Sequence, residues 1–190
     1  MPNPSWNNTL SPFATARGAV SGPSASAIAI EPMAHYTGVE ELQLGTLLEF
    51  EAWGEITTPA SVTTFQFGVY YGATPGTPSN IIWAHTAQTP TASLTSIPWH
   101  FRIGAEVIAV GAAGTAQLYG HGILDISLTG LDNYVAKAMP PTAAARSIAT
   151  VFTDRSAWYW GVSMINGAAT AGNTCRCDIF NMDYKNQGKT

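Results

Sequence analysis

The chain has 190 residues and a net charge of −4, and only 11% of its residues are charged, against about a quarter in an average soluble domain. Six glutamates and no basic residue fall between positions 31 and 55, which argues against binding a phosphate backbone, because that needs clustered Lys and Arg. No run approaches the roughly 20 apolar residues of a membrane-spanning helix.

The first stretch, MPNPSWNNTLSPF, lacks the basic and apolar regions of a signal peptide, so synthesis and assembly in a cytoplasm are expected. Residues 1–27 carry Pro2, Pro4, Pro12 and Pro23 among many Ser, Asn and Ala, with no helix or strand period. They read as an extended arm held by a partner, with Trp6, Leu10 and Phe13 as its candidate anchors. A short AIAI run at 27–30 would add to a sheet edge. Residues 31–44 read as loop with at most one helical turn. The expected division is therefore an arm with its lead-in loop over 1–44 and a β-sandwich over 45–190.

Strands begin at 47–57, with Leu48, Phe50, Ala52, Gly54 and Ile56 inward and Glu49, Glu51, Trp53 and Glu55 outward. A turn at 58–61 leads to a strand over 62–71, with Phe65, Phe67, Val69 and Tyr71 on one face. Pro- and Gly-rich residues 72–79 form a loop, 81–87 a short strand, and 88–97 a second loop. The longest feature follows at 98–128, two strands joined by a glycine-bracketed turn. Trp99, Phe101, Ile103, Ala105 and Val107 alternate with His100, Arg102, Gly104 and Glu106. Leu118, Gly120, Gly122, Leu124 and Ile126 alternate with Gln117, Tyr119, His121 and Asp125. Pairing Val110 with Thr115 sets Trp99 opposite Ile126 and His100 opposite Asp125, so that apolar meets apolar throughout. Ile108, Val110 and Ile123 then interrupt the polar face, which marks them as candidates for subunit contact. Residues 130–145 read as an irregular link with a helical turn at 134–138. Strands over 147–153, 157–165 and 173–184 close the chain. About eight strands with long central members predict an all-β fold, a two-sheet jelly-roll-like sandwich.

Little of this points to catalysis. His100 and Asp125 share a face with His121 and Ser127, but all lie on regular strands, with no nucleophile elbow and no oxyanion donors. His35, His85, His100 and His121 are scattered singly, without the His-x-His spacing of cupin-type centres, so neither a metal nor another cofactor is expected. Cys175 and Cys177 sit two apart on one strand and read as small buried apolar residues. Trp53, Trp83 and Trp158 would either stack on sugar rings or fill core and interface positions. The low charge fits either a surface covered by other subunits or a plain Thr/Ser-rich β surface.

The order LLEFEAWGEITT, TTFQFGVYYG, a Pro/Ser/Thr loop and PWHFRIGAEVIAVGAAGTAQLYGHG, with a late closing strand, resembles a family of virion structural proteins of tailed bacteriophages. The resemblance covers residues 45–184 and rests on Gly54, FGVYYG and Pro98-Trp99. It implies a non-enzymatic, jelly-roll-like homotrimer on the outside of a virion assembled in the host cytoplasm. The leading role implied is a capsid decoration protein that binds the major capsid protein through the N-terminal arm and stabilises the head. The other is a minor tail or tip protein with a carbohydrate- or receptor-binding face, its partners a tail protein and a host surface glycan.

Overall fold

A computed structural model describes residues 20–21, 28–30, 35–37, 42–61, 64–110, 116–131, 133–148, 158–167 and 174–185. The candidate anchors Trp6, Leu10 and Phe13 lie outside these residues. The strands are β1 (Val20–Ser21), β2 (Ile28–Ala29), β3 (His35–Thr37), β4 (Leu47–Thr57), β5 (Phe65–Gly72), β6 (Asn80–Ile82), β7 (Ile97–Val110), β8 (Ala116–Ser127), β9 (Tyr134–Met139), β10 (Ser147–Ile148), β11 (Trp158–Asn166) and β12 (Thr174–Lys185). The fold is all-β, and its regular helical structure among the described residues is a 3₁₀ turn at Ala144–Arg146.

Two antiparallel sheets pack as a sandwich. Sheet one runs β1-β12-β4-β7-β8, with β9 and β10 both on the far edge of β8. Sheet two runs β6-β5-β11, with β2 and β3 on the other edge of β11. The strand pairs nest. β4 pairs with the last strand, β12, and β5 pairs with the one before it, β11, while the β7–β8 hairpin closes the series. A two-stranded ribbon thus crosses from sheet one to sheet two and back, which is jelly-roll-like winding. Short strands from residues 20–37 join both sheets, so the sandwich draws on sequence well before the boundary expected at residue 45.

Period-two alternation builds the core. Leu48, Phe50, Ala52 and Ile56 of β4 and Trp99, Phe101 and Ile103 of β7 face Phe67, Val69, Trp160 and Val162 across the sandwich. The Phe67 and Trp99 rings stack at 4.6 Å between centroids, a contact worth about 0.5–1.5 kcal/mol beyond the area it buries. Gly54 makes room for this. A Cβ there would lie 1.9 Å from the Arg176 carbonyl oxygen and 2.6 Å from the Trp99 ring. β5 departs from simple alternation, since all of it but Gln66 is buried, so both its faces are covered.

Three elements differ from the sequence reading. Tyr134–Met139 is a strand on the edge of β8 rather than a helical turn. The predicted strand at 81–87 stops at Ile82, because Trp83 takes a left-handed backbone with φ 51°. Both Ile82 and Trp83 are then buried, and the indole N–H donates to the Arg146 carbonyl at 3.3 Å. Beyond that break the chain rejoins β5 by other means. His85 N–H donates to Phe67 O at 3.2 Å, and Phe67 N–H donates to the His85 ring at 2.8 Å. The third difference is in the hairpin. Trp99 pairs with Ile126 and His100 with Asp125 as expected, but a bulge between Val107 and Ala109 moves Val110 opposite Ala116.

Candidate interaction surface

The outer face of sheet one collects most of the side chains singled out above. Cross-strand register orders them in rows. Ile179, Trp53, His100 and Asp125 form one row across β12, β4, β7 and β8. Asn181, Glu51, Arg102 and Ile123 form the next, followed by Asp183, Glu49, Gly104 and His121, then Lys185, Leu47, Glu106 and Tyr119.

The acidic stripe of β4 is largely compensated. Glu49 meets Lys185 at 3.4 Å, Glu51 meets His100 at 2.9 Å, and Glu55 meets Arg176 at 3.2 Å. Arg176 also bonds Asp178, which with Glu55 raises its already high pKa. Two of the three glutamate contacts are ion pairs between fixed charges, whereas the Glu51–His100 contact is a hydrogen bond that offsets charge only if the imidazole is protonated. Solvent-exposed contacts of this kind hold a face together only weakly. Among the described residues, Arg102 and Glu106 are exposed and make no ion pair.

Between these charges stand apolar side chains. Ile108, Tyr119, Ile123 and Ile179 are each 38–42% exposed. Tyr119 leans edge-on toward His121, with centroids 6.2 Å apart. Of the three contact candidates from sequence, Ile108 and Ile123 hold their places on this face. Val110 does not. Directly paired residues share a face, so the bulge turns Val110 onto the side of buried Ala116, although it stays exposed at the hairpin end. Tyr119 and Ile179 were not singled out beforehand. Tyr119 could have been, from its outward place in the β8 alternation. Ile179 could not, because the β12 bulge between Cys177 and Ile179 sets its direction.

Of the three tryptophans offered as sugar platforms, one lies in the core and two are partly exposed. Trp83 is 2% exposed and lies between the sheets, where a Cβ on Gly120 would come within 2.7 Å of its ring. That burial rules it out as a surface platform. Trp53 stacks on His100, rings 4.7 Å apart and 7° from parallel, so the imidazole covers one of its faces. Trp158 is half-buried and packs edge-on against Tyr71 at 5.7 Å.

The catalytic and metal candidates do not converge. His100 Nε2 bonds Glu51, on the neighbouring strand away from Asp125. Ser127 is buried on β8, and its hydroxyl has no hydrogen-bond partner among the described residues. His85 is buried in the core. Phe67 N–H donates to its Nε2, and its Nδ1–H donates to the Thr86 carbonyl at 2.6 Å, which sets the neutral tautomer. Burial pushes its pKa down to about 4. Among the described residues, no group of three or more His, Cys, Asp or Glu side chains is placed to hold a metal ion. Cys175 and Cys177 are buried and not joined to each other, and burial raises the Cys175 thiol well above its ordinary value.

No known protein family, curated protein or solved structure matches this chain.

Proposed function

We propose that this chain is a non-catalytic structural subunit of a tailed-phage particle, a decoration protein packed among copies of itself on the outside of the head. The observation that supports this reading is the outer face of sheet one. Four half-exposed apolar side chains, Ile108, Tyr119, Ile123 and Ile179, lie on a face whose acidic stripe is paired off. Exposed apolar groups gathered on one face mark interaction sites rather than solvated surface. Long strands held in register make that face stiff, which suits a repeated contact. Binding to the assembled shell alone would stabilise it by mass action.

The test is co-pelleting of the purified chain with tailed-phage heads, with and without residues 2–19, which precede β1. Saturable pelleting of the full chain is expected, with loss on deletion. If the deleted chain pellets equally, the segment before β1 is not the attachment. If neither pellets with heads but either pellets with tails, the role moves from head to tail.

A further inference from the structure

We infer that two copies of this chain associate through the outer faces of β4, β7 and β8 about a two-fold axis that crosses the strands along the row Glu49–Gly104–His121. The inference rests on the assembly reading above and commits it to one partner, a second copy, and to one symmetry. That symmetry differs from the three-fold one the phage family resemblance implies.

The register carries the argument. On β7, Arg102 stands two residues before Gly104 and Glu106 two residues after it, and both are exposed and unpaired among the described residues. A two-fold axis parallel to the sheet, perpendicular to its strands and lying above the outer face at Gly104 lays β7 antiparallel over its copy. Arg102 then faces the partner's Glu106, and the reciprocal pair forms by symmetry. The same operation acts on β8, where Ile123 shares the row of Arg102 and Tyr119 the row of Glu106. Ile123 therefore meets the partner's Tyr119, again twice. One axis thus matches charge with opposite charge and apolar with apolar at these positions. In the row on the axis itself, Asp183, Glu49 and His121 each meet their own copies, and the Glu49 carboxylate has Lys185 3.4 Å away.

Gly104 at the centre is the independent observation. A Cβ there would have nothing within 4 Å, so no neighbour in the chain requires glycine. Glycine weakens a strand interior and often marks close approach by another backbone. On the axis, each Gly104 clears space for the other. At about 4.8 Å between strands and about 3.3 Å per residue, β12, β4, β7 and β8 offer on the order of 800 Å², what one partner of a stable dimer contributes.

Sedimentation of the full chain between about 1 µM and about 100 µM, the span from tight to weak self-association, tests the contact. A dimer is expected. Arg102→Glu and Glu106→Arg should each raise the dissociation constant about tenfold or more, by setting like charges opposite one another. The double swap should restore it to within a few-fold. Gly104→Lys should leave a folded monomer, and Gly104→Ala should weaken the dimer, because it sets two methyl groups against each other on the axis. Far-ultraviolet circular dichroism and the silence of the two buried thiols establish that each variant is folded. A chain that is monomeric throughout overturns the contact, and so does a double swap that fails to rescue. A trimer or larger species untouched by all the variants also overturns it, yet leaves the multi-copy reading standing. That reading is judged separately by pelleting with heads.

Discussion

Acid should unfold this protein through His85, by an amount that can be worked out. His85 is buried, and both ring nitrogens are committed: Nε2 accepts Phe67 N–H at 2.8 Å and Nδ1–H donates to Thr86 O at 2.6 Å. Protonation would place a second ring N–H against the Phe67 N–H and a charge in the core. Burial is the main cause that lowers the pKa from 6.5 to about 4. The Thr86 carbonyl opposes the shift and the Lys137 charge adds to it. The unfolded chain takes up its proton near pH 6.5 and the native chain only near 4. The contribution is therefore fully present above pH 6.5 and is lost as the pH falls toward about 4. At about 1.4 kcal/mol per pH unit the loss totals about 3 kcal/mol across that window. Urea unfolding followed by tryptophan fluorescence at several pH values between about 7.5 and about 4.5 measures it, for the natural chain and for His85→Gln. The variant should be weaker at neutral pH by about 1–3 kcal/mol, because Phe67 N–H loses its acceptor. Its deficit should shrink as the pH falls, since it has no proton to gain at this site. All other groups are common to the two chains and cancel in the difference. A deficit that stays constant from pH 7.5 to 4.5 would refute the buried, neutral description of His85.

Trp83→Ala removes the plug between the sheets and should cost about 3–5 kcal/mol in urea unfolding; a loss below about 1 kcal/mol would mean that the ring is not core. Gly54→Ala should be harsh for an alanine, about 3 kcal/mol or more, because its Cβ would lie 1.9 Å from a backbone oxygen. Gly104→Ala is the matched control and should be neutral to about 1 kcal/mol stabilising, with open space at the Cβ. A coloured disulfide reagent at mildly alkaline pH should find neither Cys175 nor Cys177 in the folded chain and both after denaturation; fast reaction of either in native buffer would contradict their burial.

What the sequence made legible, and what it hid, follows from where each signal resides. The β7–β8 register could be read because apolar and polar residues alternate from Trp99 to Val107, and from Leu118 to Ile126 with Ile123 as the one interruption. A slip by one would have buried Arg102 and Glu106. The bulge at Ile108 was hidden because Ile108, Ala109 and Val110 are all apolar, so there is no polar partner to show which residue turns over. Tyr134–Met139 reads YVAKAM, whose Ala, Lys and Met favour a helix. Its strand conformation comes from pairing with the edge of β8, a tertiary contact that overrides local preference.

Trp83 is instructive. The sequence left it open between a sugar platform and the core, and the strand expected over 81–87 stops at Ile82 with no glycine or proline to mark the break. The sign that it belonged inside lay on another strand. Gly120 is an inward position with no side chain, and something large from the opposite layer had to fill it. The interaction face follows the same logic. Alternation alone places Arg102, Glu106, Tyr119 and Ile123 outward, one strand at a time. Only the register between strands puts Ile123 beside Arg102 and Tyr119 beside Glu106, equally spaced about Gly104. A period within one strand fixes which residues can touch a partner, whereas the register across strands fixes which of them can do so together. The symmetry that makes this face self-complementary is a property of the sheet and of no single strand in it.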